Sequence, residues 1–111
     1  MSTAIRTFRA LVRLTGVLLI ILGILIWTGH ALRLVPVHML LGLLLAAALW
    51  ALALLVARRG VGAGFVALAI IWGIIMVVFG VAQANLMVGS AHWVIQVLHL
   101  LIGVVAIAFG E

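Results

Sequence analysis

Four histidines stand inside or beside long apolar runs of this chain: His30, His38, His92 and His99. An imidazole in such surroundings has few uses. It ligates a metal or a tetrapyrrole, it carries a proton, or it hydrogen-bonds a neighbouring helix. The rest of the composition narrows these. The only carboxylate is Glu111 and there is no cysteine. Carboxylate-pair hydrolysis, calcium or magnesium cages, thiolate metal sites and cysteine nucleophiles are therefore excluded, and a proton relay lacks its usual partners. Two of the histidines share a local pattern. Val37-His38-Met39-Leu40-Leu41-Gly42 returns as Leu98-His99-Leu100-Leu101-Ile102-Gly103. In each copy a glycine follows its histidine by four residues, on the same helical face.

The elements that must position these residues repeat as well. An apolar run with two glycines seven apart precedes each copy: Gly16 and Gly23 in the first half, Gly73 and Gly80 in the second. The chain reads as a doubled unit, a glycine-faced helix followed by a histidine-faced helix. Of the 111 residues, 70% are hydrophobic and 6% charged, whereas a soluble domain is about a quarter charged. The solvent for this surface is lipid. About 20 apolar residues cross a bilayer core, which predicts a single all-α bundle over residues 1–111 with four transmembrane helices, at about 14–32, 36–57, 64–86 and 91–110. Residues 1–13, carrying Arg6, Arg9 and Arg13, are expected as a short basic helix at the membrane surface that runs into the first span. No cleavable leader is evident. Pro36 suits the first turn of the second helix. The basic, glycine-rich segment 58–64 is the midpoint of the repeat.

Five of the six arginines precede the first span or lie between the second and third. The positive-inside rule puts both segments in the cytoplasm, with both termini inside, as expected for a bacterial inner-membrane protein. The +5 charge sets orientation and is not a nucleic-acid signal. Arg33 is a lone charge on the outer side. Each half starts inside and returns, so the halves are parallel helical-hairpin repeats about an axis along the membrane normal. That symmetry sets span two across from span four, and span one across from span three.

His38 and His99, on symmetry-related helices and pointing inward, make a pair of axial ligands for a flat cofactor. Glycines on the other two helices would let its edges approach the backbone; close helix packing is the competing use of those glycines. His92, Gln96, His99 and Gly103 share one face of the fourth span, and by depth His92 is the substitute ligand for His99. Gly73, Met76, Gly80, Gln83 and Met87 lie along one side of the third. Gly23, Gly80, Gly42 and Gly103 complete the candidate binding set. Arg33, His30 and His92 are suited to the outward-pointing acidic groups of such a cofactor.

This layout resembles the four-helix core of membrane b-type cytochromes, including the cytochrome b of quinol–cytochrome c oxidoreductases. The resemblance implies haem b held by His38 and His99, flanked by Gly23 and Gly80, and electron transfer with a quinone or an outer-side redox protein, within a larger complex. The family carries two histidines on each ligand helix about two haem layers apart. Here span two has only His38, and His92 and His99 are seven apart, so at most one haem is implied. Bacteriochlorophyll, which needs a single histidine, is a variant. A copper site from histidines and methionines ranks lower, because no compact three-ligand cluster is apparent. A cofactor-free assembly subunit, its histidines bonding between helices, is the alternative from another class. A small multidrug-type transporter is disfavoured, since its acidic residue in the first span is missing.

Overall fold

A computed structural model describes residues 2–85 and 89–111. The described chain is all-α. Helix α1 spans Thr3–Trp27, α2 Val35–Ala57, α3 Ala63–Ala82 and α4 His92–Phe109, with single 3-10 turns at Leu32–Leu34 and Gln83–Asn85. All four helices are long and apolar enough to cross a membrane. Large apolar side chains such as Leu14, Leu40, Ile71 and Leu101 stay exposed on their outer faces, as a bundle solvated by lipid requires. Each helix packs on its chain neighbours and α1 also packs on α4. The ring is closed, and α2 faces α4 across its diagonal.

The boundaries differ from expectation in two places. The basic segment is not a separate surface helix. The Ser2 hydroxyl accepts from the Ile5 amide at 3.2 Å, an N-cap that starts α1 at Thr3, and no glycine or proline interrupts it before Gly16. At its far end α1 stops at Trp27, short of residue 32. Gly29 takes a left-handed φ of 81°, which ends the helix before His30, so the seven-residue spacing of Gly16, Gly23 and His30 does not put His30 on that helical face. Pro36 does sit in the first turn of α2. The expected end of the third span at residue 86, and Met87, lie outside the described residues.

The tight packing lies in the half of the bundle that carries five of the six arginines. Val12, Leu45, Ala46, Ala48, Leu49, Met76 and Ala106 form its core, and the alanines let helix backbones approach closely. Two glycines receive side chains reciprocally between α1 and α4. A Cβ on Gly16 would lie 2.7 Å from Ile107, and one on Gly110 would lie 2.6 Å from Val12. Two tryptophans then lace the remaining helices. The Trp50 indole donates to the Ile70 carbonyl at 3.1 Å, and Trp72 donates to the Ile102 carbonyl at 2.9 Å. These join α2 to α3 and α3 to α4, each satisfying an indole N–H that lipid could not. Trp50 lies over Gly73, where a Cβ would come within 2.5 Å of its indole nitrogen.

Glu111 closes the ring at the same end. Its carboxylate accepts from Arg13 at 2.7 and 2.6 Å and from Arg9 at 3.1 Å. The end of α4 is thereby fixed level with the third turn of α1, not with its start. The Arg13 and then the Arg9 hydrogen bonds hold the Glu111 carboxyl down at about 2.

Two outcomes are expected. Gly73→Ala must push Trp50 aside and cost about 1–3 kcal/mol in overpacking, whereas Gly42→Ala, with nothing within 4 Å of the new Cβ, is neutral or gains up to about 1 kcal/mol of helix propensity; chemical denaturation in mixed micelles measures both. The second concerns pH. The folded carboxyl titrates below the unfolded one, so its contribution is full above about 4.5 and fades as pH falls toward about 2. The melting temperature should decline through that window in the native protein, and Glu111→Gln should remove that component of the decline.

Candidate functional site

Each histidine pair member is set by its helix. His38 stands in the first turn of α2, on the stripe that continues through the buried Leu45 and Leu49. His99 stands eight residues into α4, one turn before the Ile102 carbonyl that Trp72 holds. Their rings meet across the diagonal with centroids 6.3 Å apart and planes at 62°.

Counted along their helices, His38 is 20 residues from Arg58 and His99 only 12 from Glu111, which looks like a mismatch in depth, and the position of Glu111 resolves it. Gly110 lies beside Val12, and Gly23 lies beside His38. Eleven residues separate Val12 from Gly23 on α1, and eleven separate His99 from Gly110 on α4. Both are about 16 Å of helical rise. Because α4 ends high on α1, His99 comes level with His38.

The two seven-spaced glycine pairs of α1 and α3 divide by level. Gly16 and Gly73, nearer the arginines, receive Ile107 and Trp50 and serve helix packing. Gly23 and Gly80 receive the histidines. A Cβ on Gly23 would lie 3.4 Å from His38 Cε1, and one on Gly80 would lie 3.0 Å from His99 Cε1. The same contact, imidazole edge on glycine backbone, occurs in both halves. Gly42 and Gly103 are different. A Cβ on either would meet nothing within 4 Å, so the structure does not press them against the histidine rings.

Phe79 was not among the residues singled out by type and spacing, yet its ring stacks on His99 at 6.1 Å and 14°. Its place beside Gly80 is the signal that could have found it, since the residue next to a ring-facing glycine also borders the ring. His38 has no such stacking partner among the described residues, so His99 is the more firmly held of the two.

Both rings keep an unmet demand. His38 Nδ1 and His99 Nδ1 are buried without a hydrogen-bond partner among the described residues. A buried polar atom left so costs about 1–3 kcal/mol. Toward the histidine end from Met76, Ile95 is the only fully buried side chain among the described residues. The site is thus polar and unsatisfied.

The remaining candidates lie toward the same end. His30 sits in the exposed turn after α1, its Nδ1 2.9 Å from the Thr28 hydroxyl. Arg33, in the 3-10 turn, borders an open surface hollow with His30. His92 is half-buried at the first position of α4, about 10 Å of rise from His99. Trp27 and Trp93 are exposed near this end, as indoles at a membrane interface are.

Among the described residues no group of three or more His, Cys, Asp or Glu side chains is placed to hold a metal ion. Two imidazoles are too few for a bare ion. They suffice for a metal that brings its own equatorial nitrogens. Imidazole nitrogens bind metals at about 2.0–2.1 Å, so a metal on the line between two rings sets their centroids about 6 Å apart. Comparison with protein-family models, curated proteins and solved structures finds no match to this chain.

If the glycines are what admit the rings, their replacement should be read out at the histidines. Gly80→Ala is expected to displace the His99 imidazole resonances in 15N spectra of the micelle-bound protein, and Gly23→Ala to displace those of His38 by less. Gly42→Ala and Gly103→Ala should leave both unchanged. Equal responses to all four would remove the glycines from the site.

Proposed function

We propose that this chain is a small integral-membrane b-type cytochrome, in which His38 and His99, on the second and fourth helices, would hold haem b. The observation that carries the proposal is the pair itself: two half-buried imidazoles on diagonal helices, 6.3 Å between centroids, with buried Nδ1 atoms that no group among the described residues satisfies. The donor set fits the group. Both ligands are neutral nitrogen donors, their spacing matches a shared metal, and Gly23 and Gly80 remove the side chains that would crowd the rings. Bound haem supplies one-electron chemistry at the iron.

The protein's part is binding, orientation and tuning. Phe79 fixes the plane of the His99 ring. The apolar helices exclude water and lower the local dielectric. His30, Arg33 and His92, at the wet end of the bundle, offer donors and positive charge to the cofactor's acidic groups. The doubled glycine–histidine contact supports reading the chain as two parallel helical-hairpin repeats. The arginine distribution supports both termini in the cytoplasm of a bacterial inner membrane. Little of the chain lies outside the helices, so it works as a subunit or beside a partner, passing electrons between a quinone and an outer-side redox protein. The alternative, a cofactor-free assembly subunit with histidines bonded between helices, is weakened by the unmet Nδ1 atoms.

The detergent-purified protein, expressed with ample haem, should show a sharp Soret band and split α and β bands on dithionite reduction. Both features should be lost in His38→Ala and in His99→Ala. A protein that stays colourless would sink the cytochrome reading and leave the assembly subunit in its place.

A further inference from the structure

A second opening lies at the other end of the bundle, away from the histidines. A half-open cavity of about 260 Å³ is walled by Leu49, Leu52, Ala53, Val66, Ala69 and Phe109, and reaches Arg9 and Glu111 at its polar edge. Leu49 to Val56 along α2 is about 10 Å of wall, so the cavity is long for its volume. It is smaller than the roughly 300–1,000 Å³ of sites for drug-sized ligands, and a single hydrocarbon chain suits it better than a ring system.

Further arginines are chain neighbours of this cavity's lining. Val61, on its rim, follows Arg58 and Arg59 by two or three residues, and Ile5 in its wall precedes Arg6. These three arginines are exposed. The one side-chain carboxylate of the chain is already taken by Arg9 and Arg13. The rim therefore carries net positive charge at the ends of helices that span about 30 Å, where headgroups lie. We propose that this cavity is a binding site for one anionic phospholipid, its acyl chain between α2, α3 and α4 and its phosphate among Arg6, Arg58 and Arg59. An acidic protein would use the rim and leave the apolar cavity unfilled; a zwitterionic lipid would fill the cavity and leave the rim charge unmet. A phospholipid with net negative charge uses both. The site is independent of haem.

The test is native mass spectrometry of the full-length, detergent-purified protein titrated with dioleoyl phosphatidylglycerol, dihexanoyl phosphatidylglycerol and dioleoyl phosphatidylcholine. One long-chain anionic lipid should be retained, with both other lipids much weaker and inorganic phosphate unable to compete. Each arginine near an anionic headgroup counts for several-fold in affinity, so Arg58→Gln with Arg59→Gln should weaken retention roughly thirtyfold. Ala53→Phe, which fills the cavity, should abolish the preference for long chains. If it misfolds, Val61→Trp at the exposed rim tests the same point. Equal retention of the two dioleoyl lipids would overturn the claim on charge. Equal retention of the two phosphatidylglycerols would overturn the claim on the chain, and competition by phosphate would reduce the site to a free-anion site.

Discussion

A buried imidazole nitrogen must be given something to do. Water is absent from a bilayer core, and an unsatisfied polar atom there is expensive. Two such rings on diagonal helices, level with one another and close enough to share one atom between them, concentrate that demand at one point. The remaining architecture follows from keeping them there. Gly23 and Gly80 clear the space beside each ring. Phe79 stacks on one of them. The Trp50 and Trp72 hydrogen bonds fix α3 against α2 and α4. Glu111, far from the site, sets the height of α4 and through it the height of His99.

The bundle is divided in its packing. Near the arginines, glycines and alanines are filled by Ile107, Val12 and Trp50, and the core is tight. Near the histidines only Ile95 is fully buried among the described residues. In a membrane the apolar outer faces gain nothing from further association, because lipid is as apolar as leucine. Stability then rests on close backbone approach and on a small number of polar bonds. That is why the two part-buried indole bonds matter more here than they would in a soluble bundle, whereas the exposed Glu111 ion pairs set the position of the α4 end more than they stabilise it.

Much of this was legible in the sequence. The lipid solvent follows from 70% apolar content, and the starts of α2 and α4 from Pro36 and the histidine pattern. The pairing of His38 with His99, and the prominence of Gly23 and Gly80, follow from the internal repeat. Other features left no local trace. The seven-residue spacing that linked His30 to Gly16 and Gly23 is real, but Gly29 at positive φ breaks the helix before it applies. Gly16 and Gly73 have the same spacing pattern as Gly23 and Gly80, and only the packing separates knob sockets from ring sockets. The indole acceptors are backbone carbonyls, which any residue supplies, so no pattern announces them. Glu111 was visible as the lone carboxylate among arginines, and its role in setting depth required knowing which turn of α1 it meets.

The most direct test of the proposal that His38 and His99 hold haem is low-temperature electron paramagnetic resonance of the oxidised protein expressed with ample haem, because a bound iron would report its protein ligands. The account predicts one low-spin ferric species with two imidazole ligands, replaced by high-spin signal or lost when either His38 or His99 is changed to alanine. A high-spin signal in the native protein, or a low-spin signal that survives both changes, would contradict the pairing on which the account is built.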